Sequence, residues 1–402
     1  MRRARSLRLL VGVAVAGMVL AACGSTSSGS GTESSSSSPS QSSSSQSSSE
    51  QSSSDTGSSS SDTGATESSS SDAGPQMTGD KTAVKVGLAY DLGGRGDQSF
   101  NDSAARGLDK AVGEGLTKVN ELTAVNGEPD SAKVDRLNQL IKDGANTIVA
   151  VGFAYAGPLG DVAAKNPSVH FGIVDNADLC DPARQGGPLK NVDCMTFAEE
   201  QGSFLVGVAA GLKSKSGKVA FIGGVDVPLL QKFQAGFDAG VKAVKPDAQI
   251  SDKYISEPPD FSGFNDPASG EKMAKGMYDS GVDIVYAAAG GSGAGVFKAA
   301  KAAGADHWGI GVDSDQYNAK SLADVKDVIL TSMVKNVDIA VYDFFASAVN
   351  GAALTGQHVY DLKVGGVAFA TSGGFIDDIA SQLNGWKDKI ISGEVKVPTT
   401  IG

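Results

Sequence analysis

The run VKVGLAYDLGGRGDQSFND, Val84–Asp102, decides the reading of the fold. A short apolar, partly β-branched stretch through Tyr90 has the character of a buried strand. Asp91 closes it. Gly93, Gly94 and Gly96 permit a tight loop with positive φ, Asp97 or Ser99 can cap a helix, and Phe100 stands in that helix's first turn. Strand, glycine loop and helix in succession form the unit of a parallel sheet, in which ligands sit at the carboxyl ends of the strands.

Outward from this run the same alternation continues. Further strands are expected at Thr147–Val151, Val169–Val174, Val219–Ile222, Ile250–Ile255, Ile284–Ala288, Trp308–Val312 and Val328–Met333. Helical spacing of three and four marks Ser103–Val112, Lys133–Lys142 and Gly270–Tyr278. Past a polar stretch ending near Asp80, the 402-residue chain holds more than one typical core uses, which suits two lobes. The expected division puts lobe 1 at 81–195 with a return segment near 315–350. Lobe 2 takes 196–314 with a return segment at 351–402.

The N-terminus reads differently. Arg2, Arg3, Arg5 and Arg8 precede an apolar run, Leu9–Leu20, that is too short for a comfortable membrane span of ~20 residues and reads as a secretory signal over 1–22. It ends in Leu20-Ala21-Ala22-Cys23, the order of a bacterial lipobox, which makes Cys23 the expected lipidated residue. Residues 23–80 are dominated by Ser, Thr, Gly, Asp, Glu and Gln. Such a segment buries too little apolar surface to offset its ordering entropy and is expected to be a tether. The formal net charge of −12, without a Lys/Arg run, argues against nucleic acid as a partner. Cys180 and Cys194 close a loop of about 15 residues; export permits a bridge between them, worth ~3 kcal/mol in the chain-entropy model. Two reduced, buried thiols are the alternative. There is no metal-ligand or cofactor motif.

Charged residues recur where strands end. Val174-Asp175-Asn176, Ile310-Gly311-Val312-Asp313 and Met333-Val334-Lys335 each follow an apolar run. A carboxylate and an ammonium together can clamp vicinal hydroxyls, the Asp accepting and the Lys donating. Phe100 can stack on a flat ligand or belong to the local core. Asp175 can contact a ligand or serve as a solvated turn, and Lys335 can be an ordinary strand-end lysine. The run Ala287–Gly295 opens a helix with glycines, either to bind oxygen atoms through backbone N–H groups or to let helix pack closely on strand. It is neither a Walker loop, a full GxGxxG nor GxSxG.

Seven stretches, in order, resemble the basic membrane protein, or purine nucleoside receptor, family of ABC-transporter lipoproteins. They are DLGGRGDQSFND at Asp91, FAEEQGSFLVGVAAG at Phe197, VAFIGGVDVPLLQKFQAGFDAGV at Val219, FNDPASGEKMA at Phe264, AAAGGSGAGVFKAA at Ala287, IGVDSDQ at Ile310 and TSMVKNVD at Thr331. The resemblance implies an α/β, type I periplasmic-binding fold: two lobes, each with a mostly parallel sheet flanked by helices, and a nucleoside held between them. It implies stacking on Phe100 and on Phe264 from the other lobe, base-edge contacts from Asp91 and Asp175 beside Asn101, and ribose contacts from Asp313 and Lys335 with help from Gly290 and Gly291. Arg95 departs from an aliphatic position of the family, and Leu179–Asp193 reads as an insertion. The implied role is a substrate-binding lipoprotein, monomeric, on the extracytoplasmic face of the cell membrane, that passes a purine nucleoside to permease subunits. A ribose-type sugar receptor shares the fold. A secreted nucleoside hydrolase would need an aspartate-rich metal run or an activated nucleophile, and neither HExxH nor GxSxG occurs.

Overall fold

The computed structural model describes residues 75–402. The signal segment, Cys23 and the tether up to residue 74 lie outside the described residues. The last residues assigned to the tether, 75–80, belong to the folded body: Met77 is buried, and Asn350 holds the segment. The Asn350 side chain accepts from the Thr78 and Gly79 N–H groups at 2.8 and 3.2 Å and donates to the Gln76 carbonyl at 2.9 Å.

The first sheet contains β1 (Lys85–Tyr90), β2 (Thr117–Thr123), β3 (Thr147–Ala150), β4 (His170–Val174) and β5 (Val192–Phe197). The second contains β6 (Lys218–Val225), β7 (Gln249–Ser256), β8 (Ile284–Ala288), β9 (Trp308–Asp313) and β10 (Ile329–Lys335). Two late strands, β11 (Gly356–Tyr360) and β12 (Val367–Phe369), return one to each sheet. The strand orders β11-β5-β4-β3-β1-β2 and β12-β10-β9-β8-β6-β7 repeat one pattern. All pairings are parallel except that of β12 with β10.

Helices cover both sheets: α1 (Phe100–Gly113), α2 (Asp130–Lys142) and α3 (Ala156–Lys165) on the first, then α4 (Glu199–Lys213), α5 (Pro228–Val244), α6 (Pro267–Asp279) and α7 (Gly293–Ala303) on the second. Helix α8 (Val337–Val349) packs against α1, whereas α9 (Ala380–Ile391) lies against α4. The buried face of α1, Ala104, Ala105, Leu108 and Ala111, has the three-and-four spacing seen in the sequence. Between α4 and α5 small residues set the distance, since a Cβ on Gly236 would collide with the Glu200 carbonyl and one on Gly240 with that of Phe204.

The return segments divide otherwise than expected. Residues 315–350 were assigned to lobe 1, but β10 pairs with β9 in the second sheet, and only α8 goes back to the first. Within 351–402, β11 joins the first sheet in register with β5, Gly356 opposite Asp193 and Tyr360 opposite Phe197. An ion pair of 2.6 Å between His358 Nδ1 and Asp193 supports that register. Among the described residues the chain thus passes between sheets at Phe197–Glu199, at Lys335–Val337 and between Tyr360 and Val367. Cys180 and Cys194 form a disulfide with Cα atoms 6.2 Å apart, tying the segment after β4 to β5.

Candidate functional site

The carboxyl ends of the two sheets face a cleft, the usual place of a ligand in open α/β sheets. Asp91 follows β1, Asp175 follows β4, Asp313 ends β9 and Lys335 ends β10, and all four line it. Asp175 and Asp313 occupy equivalent places in the two sheet patterns, and both have left-handed backbones, φ 68° and 63°. Aspartate tolerates this region better than most residues, and such geometry concentrates at ligand sites.

The loop after β1 is built around Asp97. Its carboxylate accepts from the backbone N–H groups of Ser99 and Asn101 at 2.9 Å and of Asp102 at 3.1 Å, and so caps α1. Burial pushes the Asp97 carboxyl up against those bonds. Asn101 reaches the cleft, but its amide serves the loop. Its Oδ1 accepts from the Asp91 N–H, and its Nδ2 donates to the Leu92 carbonyl and to Asp97. Arg95 turns to the surface, where it pairs with Asp109 at 2.7 Å and Glu121 at 2.5 Å.

Lys335 is the electrostatic centre. It is 1% exposed. Its ammonium lies 2.7 Å from Asp175 Oδ2 and 3.0 Å from Glu199 Oε1. The rings of Phe100, Phe197 and Phe233 surround it with centroids at 5.0, 5.0 and 5.6 Å. Burial alone would lower its pKa, but Asp175, Glu199 and Asp313 outweigh burial and raise it. Burial pushes Asp91 up to about 6, with a bond from the Leu92 N–H opposing. Asp175 is pushed up to about 6 and Asp313 to about 7, again by burial, with Lys335 opposing both. Asp313 Oδ2 also accepts from the Ser99 hydroxyl at 2.6 Å, a bond between the lobes. Asp175 Oδ1 is buried without a hydrogen-bond partner.

The apolar walls come from both lobes: Phe100 and Phe153 on one side, Leu229, Phe233 and Phe264 on the other. Phe264 is seated by glycines, because a Cβ on Gly224 would lie 2.6 Å from its ring and one on Gly290 would lie 2.9 Å from its carbonyl oxygen. Gly290 lines the cleft with φ +55°. Gly291, expected beside it, does not; it is buried against Asn265, whose Oδ1 would lie 2.9 Å from an added Cβ. Past Phe153 and Phe264 the cleft opens into a wider vestibule, where Phe153 meets Phe261 with centroids 6.1 Å apart. The sequence reading thus misses Phe153, Phe233 and Glu199, although the stretches at Phe197 and Val219 contain two of them.

The model of a family described as ABC transporter substrate-binding protein PnrA-like (Bmp) matches residues 83–400. The chain belongs to this family. It is 36% identical over 347 residues to a CD4+ T-cell-stimulating antigen of Listeria innocua, covering 82% of this chain and 92% of that protein. It is 33% identical to the ABC transporter nucleoside-binding protein BmpA of Lactococcus lactis, covering 82% and 93%. Among solved structures, an ABC transporter solute-binding protein from Aeropyrum pernix K1 superposes with a TM-score of 0.66 at 27% identity, covering 79% of this chain and 94% of that one. A second, from Conexibacter woesei, shares the fold at TM-score 0.62. The fold is therefore the type I periplasmic-binding fold. The protein is an ABC transporter substrate-binding protein and not an enzyme.

Proposed function

We propose that the protein captures a nucleoside, with a purine as its base, and delivers it to the permease subunits of an ABC importer. Aromatic rings from both lobes in one cleft with the buried Asp313 and Lys335 carry this reading. Flat apolar walls suit a base, and stacking on such walls is worth about 1–3 kcal/mol per base. An acceptor with a donor beside it suits the ribose hydroxyls. Asp91 and the unpartnered Asp175 Oδ1 suit the polar edge of the base. With pKa values near 6, each can accept a bond when ionised or donate one when protonated. The nucleoside-binding relative of Lactococcus lactis supports the same ligand class. In this reading the protein acts as a monomer on the extracytoplasmic face, anchored by lipid on Cys23.

Calorimetric titration with inosine, guanosine, adenosine, uridine, their deoxy forms and ribose tests it. The nucleosides should bind far more tightly than ribose, and loss of the 2′ or 3′ hydroxyl should weaken binding, by about 1–3 kcal/mol for each group left unpaired. Tight ribose binding with no gain from an attached base would turn the protein into a sugar receptor.

A further inference from the structure

Two of the passages between the sheets meet at one buried ion pair. Glu199 stands where β5 leads into α4, and Lys335 stands where β10 leads into α8. The 3.0 Å contact between them joins these two connections behind the cleft. Glu199 is 1% exposed and does not line the cleft. Its other oxygen takes the Lys232 ammonium at 2.7 Å, and Lys232 also donates to the Phe197 carbonyl at 2.5 Å and lies 3.2 Å from Glu200. Glu199 is thereby fixed between an ammonium from α5 and one from β10, at the start of α4, where the helix dipole favours a negative charge. Burial would raise its carboxyl, but Lys335 and Lys232 hold it below its ordinary value. The carboxyls of Asp175 and Asp313 are raised instead by burial.

A lysine ammonium rides on a flexible four-carbon stem and needs fixed partners to be placed. Asp175 follows β4 of the other sheet, whereas Glu199 and Lys335 both adjoin connections that pass between the sheets. We infer that Glu199 is a positioning residue, which holds the Lys335 ammonium at the cleft and thereby sets the preference for ligands that carry ribose hydroxyls. This rests on the reading of Lys335 as a hydroxyl-binding group given above.

The test compares inosine with 2′,3′-dideoxyinosine by calorimetry on the full chain. Wild type should favour inosine by about tenfold or more. In Glu199→Gln inosine affinity should fall about tenfold while dideoxyinosine stays within about twofold, so that the ratio collapses. Glu199→Asp keeps the charge with a shorter reach and should restore part of the ratio. Equal weakening of both ligands, or an unchanged ratio, overturns the inference while a wild-type preference leaves the hydroxyl reading standing. If Glu199→Gln does not fold, Glu199→Asp decides, because a wild-type ratio in that variant also overturns it. A wild-type protein without any preference overturns the hydroxyl reading, and the inference with it.

Discussion

Replacing Lys335 by methionine removes a buried charge and nearly preserves volume. Its partners stay behind: Asp175 at 2.7 Å and Glu199 at 3.0 Å from the lost ammonium. Removing one member of a buried pair leaves uncompensated charge and costs roughly 3–5 kcal/mol. For a protein of this size that corresponds to a fall in Tm on the order of 10 °C. The loss should depend on pH. With Lys335 in place, burial already sets Asp175 at about 6 and Asp313 at about 7, and the lysine pulls both down. Without it both rise further. A carboxyl raised above its unfolded value of 3.8 binds more protons in the folded state. The stability it contributes is therefore complete below that value and is lost as pH rises through the folded pKa. The variant should lie closest to wild type at about pH 5, with both aspartates protonated, and furthest at about pH 8. Glu199 keeps Lys232 throughout, which leaves a small deficit at the acid end. Scanning calorimetry at the two pH values measures the difference. An equal fall in Tm at both would refute the electrostatic reasoning and reduce Lys335 to a packing residue.

Phe100→Ala should weaken nucleoside binding by about 1–3 kcal/mol, read by calorimetry, without unfolding the lobe. Replacing Cys180 and Cys194 by serine should lower stability by about 3 kcal/mol, measured by thermal melts, since the bridge closes a short loop. Cys23→Ala should abolish lipid labelling and release the protein from membranes in fractionation; full retention would contradict the lipobox reading.

Each of the eight expected strands has its counterpart in the structure: seven are compact apolar runs buried along most of their length, as in β8, IVYAA, and the eighth, β7, is a half-exposed edge strand. Strand β2, TKVNELT, escaped because it is a sheet edge without a fully buried residue, and polar side chains serve it as well as apolar ones. Strand β11, GQHVY, is likewise a sheet edge, with Tyr360 alone buried, and its partner β5 is far away in sequence. That pairing, together with that of β10 on β9, is what misplaced the return segments, since no local pattern encodes which sheet a late strand rejoins. In the site, Asp91, Asp175, Asp313 and Lys335 were legible because a charged residue ending a buried strand has one place to go. Phe153, Phe233 and Glu199 come from a loop, a helix face and a helix start. Which way those face follows from how one lobe lies against the other, a relation that short-range spacing does not carry. Gly291 shows the opposite failure: a glycine run marks a tight loop without telling which glycine meets the ligand.

The grip of Asn350 on residues 76–79 has a mechanical consequence. Helix α8 runs 13 residues, with Lys335 just before its start and Asn350 just past its end. At 1.5 Å per residue those ends are roughly 20 Å apart. The polypeptide arriving from the N-terminal side is therefore fastened at the rear of the first lobe, remote from the cleft. A pull on that segment would meet the Asn350 hydrogen bonds and the buried Met77 first. The anchoring contacts thus stand one helix length, about 20 Å, from the cleft lysine.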